Sequence, residues 1–558
     1  MTNNRSALPP LILLLPCVAV SLFFVVAYWG HTLEDAMISF RYALRVAEHY
    51  PLGYWNRVGP AVEGYTSMLW VWILSLAGPN VDAITTFSKI CGVMAYLAIP
   101  TALMLIGGRR VLLPHVEERA FKRACSLSAL AILLYIPLIW YAAIGMETTL
   151  FALLVTAVML APVTVDDVPT LTALNVLAIT TRPDGTVFVI CSALSYLAID
   201  ESNRRRRAYV LGLAVLAIAA LFTWRIAYFG YPMPNTYYAK AGGAGLTHVG
   251  AGIHYVGTWA LSHPFLIVPP VVLLVVTRFG RRKHLPALFL ALLGTLCLFG
   301  VLIVKVGGDD YAAFPYWRHA LQITPVLSFL TFYSLEQLQS PSAVTAVVLA
   351  SFLAWPLLGL VPNVQSANLR DQAFEGLRRD HPMANQPFNP FFLWMRPLTD
   401  AHTVVSTSLA GELPLAVDAI HIDALGLNDE FIAHHGSFDP QGTIDSKSDM
   451  AYVLSRRPDI VEGYVSASAI LERRPWSELM KTRPKMVMDM FSNEVFRNDY
   501  VFVTNAPYQF FDRAIFMRKD FFEGRLRRGD RLQAISVQQA LDAYGELGRV
   551  VTVVDDHR

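Results

Sequence analysis

Two adjacent carboxylates, Glu34 and Asp35, come directly after the first long apolar run of the chain, in the segment HTLEDAMISFRYA at 31–43. A carboxylate placed there faces both water and lipid headgroups, which suits a general base or a metal-binding group acting on a lipid-borne substrate. Thr32 and Asp35 also match a capping box, in which the acid satisfies free amides of the first helical turn. The local motif favours the cap, and the two roles can coexist.

The residues that follow this pair predict an amphipathic helix lying along the outer surface of a membrane. Its charged and apolar positions recur at helical spacing on opposite sides: Glu34, Arg41, Arg45 and Glu48 against Phe40, Leu44 and Ala47.

Two later segments supply cations. Pro234–Lys240 reads PNTYYAK, in which Lys240 either binds an anion or extends toward the interface beside belt aromatics. Arg318 and His319 follow the segment GGDD at 307–310, where glycines permit a tight turn, and they either grip a phosphate or form a charged rim. An acidic pair with two cationic clusters is what a lipid phosphate donor needs, because cations stabilise the leaving group and an acid handles the nucleophile.

Two further polar loops are interpreted as structural. The segment RPDG at 182–185 has the composition of a turn, and a lone Glu147 in GMET is more typical of a capping or pairing residue.

The composition predicts a polytopic membrane protein. The 558 residues are 54% hydrophobic and only 16% charged, with a mean hydropathy of +0.42. Leu11–Gly30 is long enough to cross a bilayer and no small-residue cleavage site follows it, so we expect a retained span rather than a signal peptide.

Basic clusters predict how the chain threads the plasma membrane, because they favour the cytoplasmic side. The clusters are Arg109, Arg110, Arg119, Lys122 and Arg123, then Arg204–Arg207, then Arg278, Arg281, Arg282 and Lys283. Together they predict about eleven membrane segments between 11 and 361 and an outer face that carries the polar loops. The apolar run 66–77 is too short for a crossing and is expected to be interfacial or re-entrant.

The chain changes character at Pro362. Short β-branched runs alternate with helical stretches from there on, so we expect residues 1–361 to form the membrane domain and 362–558 a soluble, extracytoplasmic α/β domain.

Composition also argues against several classes of partner and site. A net charge of +2 gives no sign of nucleic-acid binding. The five cysteines all fall in apolar runs without C-x-x-C spacing, which argues against disulfides and cysteine metal sites.

The order of these motifs resembles the polytopic GT-C glycosyltransferases, and most closely the AftB-like arabinofuranosyltransferases. The resemblance covers about residues 30–330 and rests on EDAMISFRYA, VEGYTSMLW, GMET, TRPDG, PNTYYAK and GGD before an arginine. It implies transfer of arabinofuranose from decaprenylphosphoryl arabinofuranose to a cell-wall arabinan acceptor on the outer face, and a carbohydrate-binding role for the C-terminal domain.

The resemblance also implies site residues. Asp35 is then the catalytic carboxylate, with Glu34 beside it. The implied contacts to donor phosphate or substrate are Arg41, Glu63, Tyr65, Asn235, Tyr237, Tyr238, Lys240, Asp309, Arg318 and His319. The spacing between Asp309 and Arg318 is longer than the family pattern, which weakens the phosphate role of Arg318 relative to Lys240.

The residues alone leave alternatives open. Nothing in the spacing reads a sugar ring, so mannose, galactose or aminoarabinose on a polyprenyl phosphate fit equally. A lipid-linked sugar transporter would instead place charges near the middle of spans. No cofactor is indicated, and participation of a divalent cation is left open.

Overall fold

The computed structural model describes residues 11–113, 115–240, 246–279, 285–308, 317–358, 390–439, 447–472, 484–506 and 513–542. Asp309, Arg281, Arg282, Lys283 and the predicted domain boundary at 361/362 lie outside these residues, so the expectations for them stay predictions.

The N-terminal part is helical, as the apolar runs predict. Its helices are α1 Leu11–Tyr28, α2 Glu34–Ala47, α3 Met68–Ser75, α4 Val81–Gly108, α5 Glu118–Leu133, α6 Ile136–Ala143, α7 Thr148–Leu160, α8 Val168–Thr181, α9 Gly185–Ile199, α10 Arg204–Phe229, α11 Asn235–Lys240, α12 Leu246–Ser262, α13 Pro264–Phe279, α14 Ala287–Lys305, α15 Arg318–Leu321, α16 Thr324–Gln337 and α17 Ser342–Leu358.

Three helices of the described residues, α4, α10 and α14, are by themselves long and apolar enough to cross a membrane. Two bent pairs raise that number to five if each pair forms one span: α5 with α6, bent by 61°, and α12 with α13, bent by 90°. The described residues also contain five shorter apolar stretches of 10–17 residues: Leu14–Tyr28, Thr148–Val163, Val168–Thr181, Gly185–Ile199 and Ser342–Ala354. The fold is therefore polytopic and helical, while the count of eleven segments stays a prediction.

Helix α12 is absent from the predicted spans. Its sequence, LTHVGAGIHYVGTWALS, spreads histidines and glycines among the apolar residues, so it carries no continuous apolar run. By contrast, the predicted short segment at 66–77 is present as α3, whose eight residues extend only about 12 Å and are too short to cross.

Local signals set several helix ends around these segments. The side chains of Asn80 and Asp167 accept hydrogen bonds from Ala83 N and Thr170 N and cap α4 and α8. Gly230 ends α10 in the left-handed conformation that glycine adopts readily.

The C-terminal region is α/β, as its alternating pattern predicts. Its six-stranded mixed sheet contains β1 Val404–Thr407, β2 Ile420–Asp423, β5 Ile460–Ser466, β6 Tyr500–Val503, β7 Arg513–Arg518 and β8 Ala534–Ser536, in the order β2-β1-β5-β7-β6-β8. Strands β1, β2 and β5 pair in parallel, and the rest pair antiparallel. A small antiparallel pair, β3 Ser437–Phe438 and β4 Lys447–Ser448, lies apart from it.

Short helices flank the sheet. They are α18 Pro390–Met395, α19 Glu412–Ala416, α20 Glu430–His435, α21 Met450–Ser455, α22 Ala467–Leu471, α23 Pro484–Ser492, α24 Glu494–Asp499, α25 Lys519–Arg527 and α26 Val537–Asp542.

The C-terminal region packs onto α2, and this contact corrects the expected open amphipathic helix. Residues 36–45 of α2 are all buried, including the charged side chains of Arg41 and Arg45. The hydroxyl of Tyr42 donates to Asn428 Oδ1 over 2.8 Å, a contact between residues 386 positions apart. The polar face of α2 is therefore an internal interface rather than a solvent-exposed surface.

Candidate functional site

A cavity of about 220 Å³ lies where one set of helix ends meets the C-terminal region. Its polar and charged lining comes from α2, the loop after it, the α6–α7 and α8–α9 loops, α11 and α15: Asp35, Ser39, Tyr65, Thr66, Ser67, Glu147, Arg182, Asp184, Thr236, Tyr237, Lys240, Arg318 and His319. The wall is completed by Leu427 from the C-terminal region. The polar loops that the sequence spreads over nearly 300 residues thus converge on one volume.

Asp35 occupies the first turn of α2 and enters this cavity. Leu33 is the N-cap residue and has no side-chain group that can cap, so the predicted capping box with Thr32 does not form. Instead, Asp35 Oδ2 accepts a hydrogen bond from Arg318 Nη1 over 3.2 Å, between two partly buried side chains. An acid in the first helical turn is also favoured by the helix dipole.

Arg182 links two further carboxylates of the cavity. Its Nη1 donates to Glu147 Oε1 over 2.7 Å and its Nη2 to Asp184 Oδ2 over 2.9 Å. Arg182 and Glu147 are each only 4% exposed, so the pair is almost completely desolvated. The turn predicted at 182–185 exists, but its arginine and aspartate also form a wall of the site.

The cations of the cavity lower the pKa of Asp184. Burial raises the pKa of Asp184, but the charges of Arg182, His319 and Arg318 outweigh it and hold that pKa below its ordinary value. Asp184 is therefore ionised at neutral pH. The three carboxylates of Asp35, Glu147 and Asp184 balance Arg182, Lys240 and Arg318, and the imidazole of His319 lines the same cavity.

Two buried hydroxyl groups in the lining of the cavity have no hydrogen-bond partner among the described residues. They belong to Tyr65, which is 3% exposed, and to Thr236. The ring of Tyr65 packs edge-on against Tyr42 with centroids 4.6 Å apart, so the hydroxyl is held in place. Buried hydroxyls normally find a partner, and a polar ligand would supply one here.

Glu34 is separated from its neighbour. Its Oε1 accepts from the backbone amide of Gly411 over 2.6 Å and more weakly from that of Glu412, and it does not line the cavity. Burial, followed by the charge of Asp35, raises the pKa of Glu34 to about 8, although the two amides oppose that rise. The expected catalytic pair therefore divides into one carboxylate at the cavity and one at the C-terminal region.

Asn235 and Tyr238 also contact the C-terminal region rather than the cavity. Asn235 Nδ2 donates to the carbonyls of Gly426 and Leu427 over 2.9 and 3.0 Å. The ring of Tyr238 lies 4.4 Å from that of His434. The residues of the segment 234–240 therefore face two different surroundings. Asn235 and Tyr238 contact the C-terminal region, whereas Tyr237 and Lys240 line the cavity.

Glu63 and Arg41 form buried structural contacts. Glu63 accepts from Arg225 through both carboxylate oxygens at 3.0 Å, with side-chain exposures of 2% and 1%. Burial raises the pKa of Glu63 to about 7, although Arg225 opposes that rise. Arg41 Nε donates to the carbonyl of Trp55 over 2.9 Å. Neither residue lines the cavity.

Of the predicted site residues, the structure thus gathers Asp35, Tyr65, Tyr237, Lys240, Arg318 and His319 around one cavity. Sequence reasoning assigned Glu147, Arg182 and Asp184 to structure and missed their place in it. The available signal was their position on loops expected to share one side of the membrane. Within the described residues, no three His, Cys, Asp or Glu side chains are placed so that they could hold one metal ion together.

No protein-family model matches the sequence, and no curated protein matches it. Among solved structures, a crystal structure of ArnT from Cupriavidus metallidurans bound to undecaprenyl phosphate is similar to this chain, with 13% identity, a TM-score of 0.49, and coverage of 90% of this chain and 97% of that chain. So low an identity and TM-score leave both fold and function to be decided by the residues of this chain.

Proposed function

We propose that this protein is a membrane glycosyltransferase of GT-C type that uses a polyprenyl-phosphate sugar. Its finer assignment, from the sequence motifs, is transfer of arabinofuranose from decaprenylphosphoryl arabinofuranose to a cell-wall arabinan at the outer face of the plasma membrane. The alternatives are transfer of mannose, galactose or aminoarabinose from a polyprenyl phosphate to a glycan, lipid or protein acceptor, and transport of a lipid-linked sugar.

The observation that carries the proposal is the arrangement of charge in the first cavity. A carboxylate, Asp35, lies 3.2 Å from Arg318, and Lys240 and His319 line the same volume. A transfer from a phosphate-linked sugar needs this combination, since a base must orient the acceptor hydroxyl while cations stabilise the departing phosphate.

The proposed reaction is a displacement at the anomeric carbon of the donor sugar. The acceptor hydroxyl forms a new C–O bond to that carbon as its proton passes to Asp35. The bond from the anomeric carbon to the phosphate oxygen breaks, and the electron pair leaves with the polyprenyl phosphate. Arg318 and Lys240 receive that phosphate charge, and release of the proton from Asp35 to solvent restores the site.

The location of the charged residues at helix ends favours transfer over transport. A transporter needs polar groups along a path through its spans. In this chain, the described charged residues of the cavity lie at helix ends and in connecting loops: Asp35, Glu147, Arg182, Asp184, Lys240 and Arg318.

We assign a positioning role to those predicted site residues that do not line the cavity. Glu34 and Asn235 hold backbone groups of the C-terminal region over 2.6–3.0 Å. We assign Arg41 and Glu63 to the same framework, through their contacts with Trp55 and Arg225.

The test is incubation of the purified protein with a panel of polyprenyl-phosphate sugars carrying arabinofuranose, mannose, galactose or aminoarabinose, together with a short arabinan acceptor. Mass analysis of the products should show one added pentose with the arabinofuranosyl donor. Elongation with a different donor would keep the reaction class and replace the sugar. Absence of elongation with every donor, in protein that binds the donor lipids, would refute the transferase.

A further inference from the structure

A second cavity, of about 370 Å³, lies between the loop 55–62 and the C-terminal region. Its walls include the rings of Trp55, Tyr231, Phe431 and Tyr452 and the imidazoles of His421 and His434. None of these side chains belongs to the lining of the first cavity.

Only a thin wall separates the two cavities. Val62 lines the second and Gly64 the first, while Asn428 lines the second and Leu427 the first. Tyr42 bridges this wall, since its hydroxyl donates to Asn428 and accepts from the amide of Gly64 over 3.2 Å. A Cβ atom on Gly64 would lie 2.0 Å from Asn428 Oδ1, so glycine alone permits this approach. The two cavities are therefore neighbours that share one buried wall.

The walls of the second cavity present paired aromatic faces. Tyr231 stacks on His434 with centroids 4.1 Å apart, and Phe431 stacks on Tyr452 at 4.2 Å. Phe431 remains 42% exposed. Flat rings that are fixed in place suit the apolar C–H face of a sugar, because they bury area at little cost in conformational entropy.

The polar lining of this cavity includes several hydrogen-bond acceptors. His421 Nε2 lies 3.1 Å from the carbonyl of Val417, so that nitrogen carries the proton and Nδ1 is left as an acceptor. Nδ1 has no hydrogen-bond partner among the described residues, although the side chain is only 3% exposed. Burial, followed by the charge of Arg41, lowers the pKa of His421 to about 3 and keeps the ring neutral.

Carboxylates add further acceptors. Glu430 Oε1 is oriented by the hydroxyl of Tyr231 over 3.0 Å. Asp429 caps α20 through Ile432 N and lies 3.8 Å from Arg456, the one basic side chain of the lining besides the histidines. Acceptors of this kind need donors, which hydroxyl groups supply, and two carboxylates disfavour an anion.

We propose that this second cavity binds a neutral sugar unit of the acceptor glycan, beside the unit whose hydroxyl enters the first cavity. Identifying the ligand as the acceptor rests on the proposed function. Recognition of a hydroxyl-rich oligosaccharide follows from the stacked rings and the acceptor groups alone.

The experiment measures binding of a linear arabinofuranose hexasaccharide to the full-length protein in detergent by titration calorimetry, with spermine and inositol hexaphosphate as charged comparators. The variants are Phe431→Ala, at an exposed ring that tolerates truncation, and His421→Leu, which removes the acceptor nitrogen. Each should raise Kd for the hexasaccharide at least tenfold. The control is Leu526→Ala, at an equally exposed apolar side chain that lines neither cavity, and it should leave Kd unchanged.

The Phe431→Ala result decides the question if His421→Leu does not fold. An unchanged Kd in Phe431→Ala or no saturable binding of the hexasaccharide would overturn the site. An equal loss of affinity for a charged comparator in Phe431→Ala would overturn it as well. If the protein transfers no sugar but binds the hexasaccharide in a Phe431-dependent manner, the site stands and the transferase fails. If transfer proceeds while Kd and the acceptor KM are unchanged in Phe431→Ala, the transferase stands and the site fails.

Discussion

Replacing Asp35 with asparagine should separate catalysis from donor binding. Asparagine keeps the size of the side chain and can still accept a hydrogen bond from Arg318, which lies 3.2 Å from the carboxylate. It cannot take a proton from the acceptor hydroxyl. Loss of a general base typically costs 10²–10⁴-fold in rate, so kcat should fall by about that factor, or about 3–5 kcal/mol of barrier height.

The same change should not weaken donor binding. In the unaltered cavity, Asp35, Glu147 and Asp184 balance the charges of Arg182, Lys240 and Arg318. For a donor phosphate bound about 7 Å away and an effective dielectric constant of about 40, removing one negative charge would favour the anion by about 1.2 kcal/mol. The donor should therefore bind up to about eightfold more tightly to Asp35→Asn.

The assay uses purified protein with a short-chain arabinofuranosyl phosphate lipid and an arabinan acceptor. Product formation gives kcat, and calorimetric titration of the donor without acceptor gives Kd; a melting curve checks the fold. More than a tenth of the original kcat in a folded variant would refute the role of Asp35 as base. A tenfold increase in donor Kd would instead show that the carboxylate helps to hold the donor.

Three further changes test the surrounding residues. Glu34→Gln should keep the transfer rate within about threefold, since glutamine can still accept a hydrogen bond from Gly411. Because folding raises the pKa of Glu34 from 4.5 to about 8, the unaltered protein should lose stability as the pH rises between these values. Melting curves from pH 5 to 9 should show a smaller loss in the variant. Lys240→Met should raise donor Kd about tenfold and leave the acceptor KM unchanged, whereas equal losses for both substrates would make the lysine structural. Arg182→Gln leaves the carboxylate of Glu147 buried without its ion pair, which should lower the free energy of unfolding by about 3–5 kcal/mol, measured as a lower Tm; an unchanged Tm would contradict this account.

Sequence patterns predicted the parts of this molecule that depend on local composition. Apolar runs marked most of the helices, and the β-branched runs near Val404, Ile460 and Val501 coincide with strands. The grouping of polar loops followed from counting which helix ends share a side. Helix α12 was not predicted from the sequence, because its histidines and glycines interrupt the apolar pattern.

The different environments of Glu34 and Asp35 could not be read from their adjacency. Consecutive helical residues point about 100° apart, so neighbours at a helix start can face different surroundings. Which surroundings they face depends on a contact between Glu34 and Gly411, 377 positions along the chain, and no local pattern encodes that pairing. The same holds for Arg41 and Arg45, whose charges suggested a solvent-exposed surface although both side chains are buried.

These long-range contacts make the C-terminal region a part of the site and not only an appendage to it. Leu427 closes the first cavity, and the same loop is tied to the helical part by Asn235 and Tyr42. Both ties are buried hydrogen bonds whose loss would strand polar groups away from water. The position of Asp35 on α2 therefore depends on residues near 411 and 428 as much as on its own helix, since Glu34 and Tyr42 of that helix bind them. A ligand bound between the loop 55–62 and the C-terminal region would contact this same interface and stabilise the packing that forms both cavities.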